Sequence, residues 1–222
     1  MTTGIIIQAR WSSTRLEGKV CELIGETTIL ENIVATCCTS ISDKVIVAIS
    51  TDNKNDKIID LINSFSFKYP KLVLYKYYGK DEDVLSRYFE ASKSLKIDKV
   101  VRCTGDCPFI SKDILNLCII LHEYYNVDIF DSLLIDGLDV QVISYNALEK
   151  IYNEATTEYD REHVFTYAYS NKDNFNIKHL SEVKLSVDYK KDLEFIRELF
   201  LEYDNYDKNY KIRTSLDALH ET

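Results

Sequence analysis

The chain has 222 residues, of which 45% are hydrophobic and 28% charged, proportions that exclude disordered and fibrous classes and suit one compact domain. Its net charge of −9 argues against a protein that coats nucleic acid, because binding to phosphate backbones runs on Lys and Arg; any phosphate chemistry here must gather its cations locally. No apolar stretch approaches the ~20 residues needed to span a bilayer and no secretory leader is recognisable, so no membrane insertion and a cytoplasmic location are expected.

Short apolar runs ending in polar loops alternate with helix-period segments, the pattern of β-α units around a parallel sheet. Residues 4–9 (Gly-Ile-Ile-Ile-Gln-Ala) read as the first strand. Residues 28–38 place Ile29, Ile33, Val34 and Cys37 at helical spacing, with Thr28 as N-cap and Glu31 three positions on. Strands at 44–49, 72–77 and 99–103 then alternate with helices at 55–65 and 83–95. Ser111 caps a predicted helix running to about residue 125, followed by strands at 128–130 and 138–143. Helices at 146–155 and around 162–168, a strand near 184–187 and a last helix at 192–201 complete the pattern. Residues 1–204 thus read as one domain and 205–222 as a polar tail. The six cysteines lack paired C-x-x-C spacing and read as small core hydrophobes of a reducing compartment.

Ligands of open α/β sheets sit outside the carboxyl ends of the strands, so the loops that follow strands carry the chemistry. The loop after the first strand presents Arg10, Arg15 and Lys19 with three hydroxyls, Ser12, Ser13 and Thr14, in an otherwise acidic chain. Arg and Lys make strong charge-assisted bonds to phosphate oxygens. On composition alone, a solvated loop is an equal reading. The loop is neither a Walker A sequence nor the dinucleotide fingerprint. The loop after the fourth predicted strand, Thr104-Gly105-Asp106-Cys107-Pro108, offers one carboxylate, and Mg²⁺ needs few when phosphate oxygens and waters complete its shell. The alternative for Asp106 is an ordinary Asp turn before Pro108. Asp188, after the strand at 184–187, stands where an Asp would cap the last helix. Cys103 and Cys107 have no His partner nearby and fall short of a zinc set.

Ala9, Arg10, Ser13, Arg15, Leu16 and Lys19 spell A-R-x-x-S-x-R-L-x-x-K, which resembles the signature of the cytidylyltransferases that activate acidic sugars. Further motifs follow in order: Gly79-Lys80-Asp81-Glu82-Asp83-Val84-Leu85-Ser86-Arg87-Tyr88, Val101-Arg102-Cys103-Thr104-Gly105-Asp106-Cys107-Pro108, Gly137-Leu138-Asp139-Val140 and Asp160-Arg161-Glu162-His163-Val164. With them the chain resembles, over nearly its whole length, the spore coat polysaccharide biosynthesis protein F family, relatives of the CMP-Kdo and CMP-sialic acid synthetases. That resemblance implies a three-layer α/β/α fold of the nucleotide-diphosphosugar transferase (GT-A-like) type, with a mainly parallel sheet and a small antiparallel excursion after Phe130 for the acceptor. It implies attack of an acidic sugar, or of a polyol or phosphonate-type acceptor, on the α-phosphorus of CTP, giving a CMP-linked product and pyrophosphate for surface polysaccharide biosynthesis.

By the same resemblance, Gln8, Ala9, Arg10, Ser13, Arg15, Lys19, Thr104 and Gly105 surround the nucleotide, and Arg10, Lys19 and Asp106 act on it. Asp106 and Asp188 hold Mg²⁺, while Arg87, Asp139, Gln141, Arg161, Glu162 and His163 line the acceptor pocket. Arg87 either reaches an anionic group or pairs with Asp83 one turn earlier, and His163 is either a base or structural. The family usually has Glu where this chain has Gln141, and a neutral amide keeps a hydrogen bond but cannot hold a cation or act as a base. The resemblance also admits a homodimer, which an acidic surface does not prevent. Two alternatives stand beside this reading: a glycosyltransferase with Asp81-Glu82-Asp83 as a D-x-D metal motif, and a non-catalytic nucleotide-binding module.

Overall fold

A computed structural model describes residues 1–13 and 15–207, with side chains as far as Leu201; Thr14 and most of the predicted polar tail lie outside the described residues. The chain divides into two compact units, Met1–Glu182 and Val183–Thr222.

The first unit is built on a seven-stranded sheet. β1 (Thr3–Gln8), β4 (Lys44–Ser50), β5 (Leu72–Tyr77), β6 (Lys99–Thr104), β7 (Ile129–Asp131) and β9 (Ile177–His179) all run in one direction, and only β8 (Gln141–Ser144) opposes them, in the order β5-β4-β1-β6-β8-β7-β9. The antiparallel β8 is the excursion expected after Phe130. Ile5, Ile6 and Ile7, like Val45 to Ile49, are buried without alternation, as strands covered on both faces require. On one face α3 (Val84–Leu95), α5 (Tyr145–Glu154) and α7 (Thr166–Ser170) close over Ile6, Ile46, Val100, Ile129 and Ile143. On the other, α1 (Ile29–Cys38) and α4 (Lys112–Tyr125) touch each other and pack on β4, β7 and β8.

The long elements stand where their periodicity put them. The Thr28 hydroxyl accepts from the Glu31 N–H at 3.2 Å, so α1 starts on its expected cap; Asp83, read as the first residue of α3, is its cap and accepts from the Ser86 N–H at 3.1 Å, whereas Ser111 precedes α4 without a side-chain cap bond. The short strands β7 and β8 overlap the expected 128–130 and 138–143, but other short elements depart from the expectation. A hairpin of β2 (Leu23–Ile24) and β3 (Thr27–Thr28), turning at Gly25, was not foreseen, nor was β9. The single helix expected at 162–168 is two turns: α6 (Glu158–Glu162) and α7, broken at His163. The Asp160 carboxylate accepts from Thr157 Oγ1 at 2.6 Å and Thr166 Oγ1 at 2.7 Å, which ties the two turns together and leaves no room for a continuous helix.

In the second unit, the strand expected at 184–187 is absent among the described residues, and α8 (Lys190–Asp207) begins two residues before the predicted start. The Asp192 carboxylate accepts from the N–H groups of Asp188 and Tyr189 at 3.0 and 2.9 Å, turning the chain into the helix at once.

Candidate active site

The strands after β1 are added on one side (β4, then β5) before the chain returns to the other side of β1 as β6. The carboxyl ends of β1 and β6 therefore flank a topological switch point, where open sheets open a crevice. A cavity of about 940 Å³ occupies it, at the upper end of volumes that hold small-molecule ligands. The loop after β1 lines it with Gln8, Ala9, Arg10, Arg15 and Lys19, and the loop after β6 with Thr104, Gly105, Asp106 and Cys107. Arg102, Asp136, Gly137, Glu162 and His163 close the far side.

The first loop is held by Trp11. Its carbonyl accepts from Ser13 and Gly18 N–H at 3.0 and 2.9 Å, its own N–H donates to Asn55 Oδ1 at 2.7 Å, and Lys57 Nζ lies 4.4 Å over the ring. Gly18 is required twice, by a φ of 68° and because a Cβ would meet the Trp11 ring at 2.8 Å. Gly105 locks the second loop onto the first: its N–H donates to the Gln8 carbonyl at 2.9 Å, and a Cβ there would come 2.8 Å from that oxygen. Two loops bearing opposite charges are thus clamped side by side.

Cations and acids face each other across the cavity. Lys19 Nζ pairs with Asp106 Oδ2, and Arg10 lies 3.5 Å from Glu162. Arg15 has no acidic partner among the described residues. Burial raises the Asp106 carboxyl, but the Lys19 ammonium and the Thr104 hydroxyl more than offset it, so its pKa falls below the ordinary value. Burial pushes the Cys107 thiol to about 11, so it stays protonated at neutral pH. Of the six cysteines, Cys37, Cys103 and Cys118 are buried and the rest half-buried, and all six are free thiols. No group of three metal-ligating side chains occurs among the described residues. Asp106, the one carboxylate that these two loops give the cavity, beside clustered cations fits a divalent ion that shares its shell with phosphate oxygens, not one caged by protein. Asp188 belongs to the second unit, where its carboxylate pairs with Lys184 at 2.9 Å.

Of the residues expected at the acceptor, Arg87 borders the cavity and also ties the fold together. Arg87 is 1% exposed; it donates to the Asp81 backbone and lies 3.2 Å from Asp81 Oδ1 and 3.5 Å from the Ala9 carbonyl. Burial lowers its pKa, with Asp81 opposing the shift. Asp83, one of the two partners open to Arg87 in the sequence, is taken by Arg161, whose Nε lies 3.1 Å from both carboxylate oxygens while its other nitrogens donate to Ser86 and Ala155. Arg161 does not line the cavity, and Asp139 accepts from the Gly137 N–H at 3.2 Å. Asp81 also takes the hydroxyls of Ser12 and Ser50, each at 2.8 Å. With both carboxylates of Asp81-Glu82-Asp83 occupied and away from the cavity, that segment does not present a D-x-D metal site.

Gln141 lies in a smaller chamber of about 180 Å³, which shares Arg102 and His163 with the main cavity. Arg102, which borders both spaces, carries no role in the sequence motifs. Its signal in the sequence is a cation in the interior of the strand Lys-Val-Val-Arg-Cys-Thr, directly after two apolar residues.

The sequence pattern of the family described as cytidylyltransferase matches residues 4–212. An uncharacterised protein of Methanocaldococcus jannaschii is 33% identical over 227 residues, covering 96% of this chain and 88% of that one. The spore coat polysaccharide biosynthesis protein SpsF of Bacillus subtilis is 28% identical over 208 residues, covering 88% and 85%. Among solved structures, a cytidylyltransferase from Leptospira borgpetersenii superposes with a TM-score of 0.72 at 27% identity, over 96% of this chain and 98% of that one.

Proposed function

The chain belongs to the cytidylyltransferase family, and from that premise we propose that it joins CTP to an acidic sugar, or to a polyol or phosphonate-type acceptor, releasing pyrophosphate in surface polysaccharide biosynthesis. The observation that carries the reading is the set of three cations, Arg10, Arg15 and Lys19, on one clamped loop opposite Asp106 at the switch point of the sheet. A triphosphate seated there takes Lys19 and Arg10 away from Asp106 and Glu162, because phosphate oxygens offer several acceptors where each acid offers two. Arg10, Arg15 and Lys19 hold the β- and γ-phosphates. Gln8, Ala9, Ser13, Thr104 and Gly105 surround the rest of the nucleotide.

Asp106, freed from Lys19, is the side chain that would hold Mg²⁺. The chemistry such an ion would supply is charge neutralisation at the phosphates. The acceptor approaches from the side of Gln141, Glu162 and His163, and its oxygen attacks the α-phosphorus in line with departing pyrophosphate. The protein's contribution is positioning and electrostatics, as is general for phosphoryl transfer, and no protein nucleophile is needed. A cytoplasmic location goes with this reading.

The test is pyrophosphate release from each of the four NTPs against a panel of sugar acids, polyol phosphates and phosphonates. Release with CTP and one acceptor class is expected, and it should fall sharply in Lys19→Ala. Release with a different nucleotide and none with CTP would overturn the proposal.

A further inference from the structure

Register places four polar side chains in a row at the carboxyl end of the sheet: Arg102 on β6 opposes Gln141 on β8, which opposes Asp131 on β7, which opposes His179 on β9. Gln141 sits between a cation and an acid, and its amide is oriented by both. Arg102 Nη1 donates to Gln141 Oε1 at 3.0 Å, and Gln141 Nε2 donates to Asp131 Oδ2 at 2.8 Å. A guanidinium only donates and a carboxylate only accepts, so the amide cannot be turned round. Asp131 is completed by the Tyr169 hydroxyl and by the Leu133 N–H at 2.9 Å. Burial and the nearby Asp131 carboxylate push the Tyr169 hydroxyl up, which keeps it a donor.

The charge balance of this row explains the glutamine. A glutamate at 141 would place its carboxylate within 3 Å of Asp131 and pair with Arg102. With glutamine, the acid of the row stands on β7, one strand away, and Arg102 is left with a neutral partner. No carboxylate lies within 4 Å of Arg102 among the described residues, its Nε is buried without any partner, and its side chain borders both the main cavity and the smaller chamber. A guanidinium in this state is a fork prepared for an oxyanion.

We propose that Arg102, held open by Gln141, binds the acidic group of the acceptor, a carboxylate or phosphate oxyanion, in the chamber lined by His163, Thr166 and Tyr169. The inference deepens the proposed cytidylyl transfer and rests on it for the word acceptor, but not for the oxyanion site. Arg102 is the specificity-determining residue. Gln141 is a positioning residue that acts through it.

The experiment follows the Nε–H resonance of Arg102 in the ¹⁵N-labelled full chain, assigned by its absence in Arg102→Lys, during titration with acetate, pyruvate and inorganic phosphate. The carboxylates and the phosphate distinguish the two oxyanion classes. A saturable shift is expected in the native protein. It should weaken by about tenfold or more when the acid is moved back to β8 in Asp131→Asn/Gln141→Glu, because a charged hydrogen-bonding site is then self-paired. That double variant conserves charge and supplies donors for every acceptor of the row; the single Gln141→Glu, which crowds two carboxylates, is the second arm. An unmoved Arg102 resonance, or equal affinity in the folded double variant, would overturn the inference. CTP-induced thermal stabilisation is measured on the same samples. Its loss with the Arg102 response intact would count against the cytidylyltransferase reading alone.

Discussion

Arg10 and Arg87 both border the cavity, yet one stands exposed in its wall and the other is buried in a clasp. The side chain of Arg10 is 40% exposed and meets a Glu162 that is 41% exposed, at 3.5 Å. The side chain of Arg87 is 1% exposed and meets an Asp81 that is 7% exposed, at 3.2 Å, inside a network that also takes up Ser12, Ser50 and Asn55. The same pair of residue types therefore has two meanings. In the wall, the pair is screened by water and its partners can be exchanged for a ligand. In the clasp, desolvation makes each charge depend on the other.

The largest effect should come from breaking the clasp. Arg87→Met leaves Asp81 buried without its cation, and the expected loss is about 3–5 kcal/mol of unfolding free energy, read by urea denaturation. Asp81→Asn added to it should return part of that loss. If Arg87→Met kept its stability and instead weakened substrate binding, Arg87 would belong to the wall and the comparison would collapse. In the wall the order is reversed. Asp106→Asn should leave urea stability nearly unchanged while lowering turnover by about 10²–10³, equivalent to roughly 2.7–4 kcal/mol of transition-state stabilisation. Normal turnover in that variant would remove Asp106 from the chemistry.

How much of this was legible in sequence depends on the distance over which each feature is determined. The β1 run, the Thr28 cap and the loop cations are local, fixed by periodicity or by residues three apart, and the structure has them in place. The roles of Arg87 and Arg161 were not legible, because Asp83 lies near both and only tertiary packing chooses Arg161 as its partner. Arg102 needed register. Its meaning comes from Gln141 opposite it and Asp131 one strand further on, residues that sequence spacing cannot align. The failed strand at 184–187 had an alternating pattern but no neighbour, and a pattern without a neighbour does not make a sheet.

His122 extends the buried side of the comparison to pH. Burial, helped by Lys99, lowers its pKa from 6.5 to about 4, and its ring hydrogen-bonds the Asp128 carbonyl through Nε2 at 3.4 Å. Above pH 6.5 it is neutral in both folded and unfolded chains and contributes no pH dependence. As pH falls from 6.5 towards 4 the unfolded chain takes a proton that the folded one refuses, so stability declines by up to about 1.4 kcal/mol per pH unit across that window. His122→Phe should flatten this part of the stability profile. An unchanged slope would assign the decline to other groups.

The smallest effect should come from the wall pair itself. In Glu162→Gln the loss of an exposed, water-screened contact should change stability by less than about 1 kcal/mol. Its consequence lies in the ligand. Glu162 competes with phosphate for Arg10, so removing its charge leaves Arg10 wholly available to a triphosphate, and CTP should bind roughly two- to fivefold more tightly, the equivalent of at most about 1 kcal/mol. The gain should shrink as salt is raised, because both the competition and the attraction are screened at this exposure. Thermal shifts with CTP at low and high ionic strength measure both statements. Weaker CTP binding in Glu162→Gln would mean that the carboxylate orients Arg10 for the nucleotide instead of competing for it, and the wall would then be preorganised by its acids much as the clasp is.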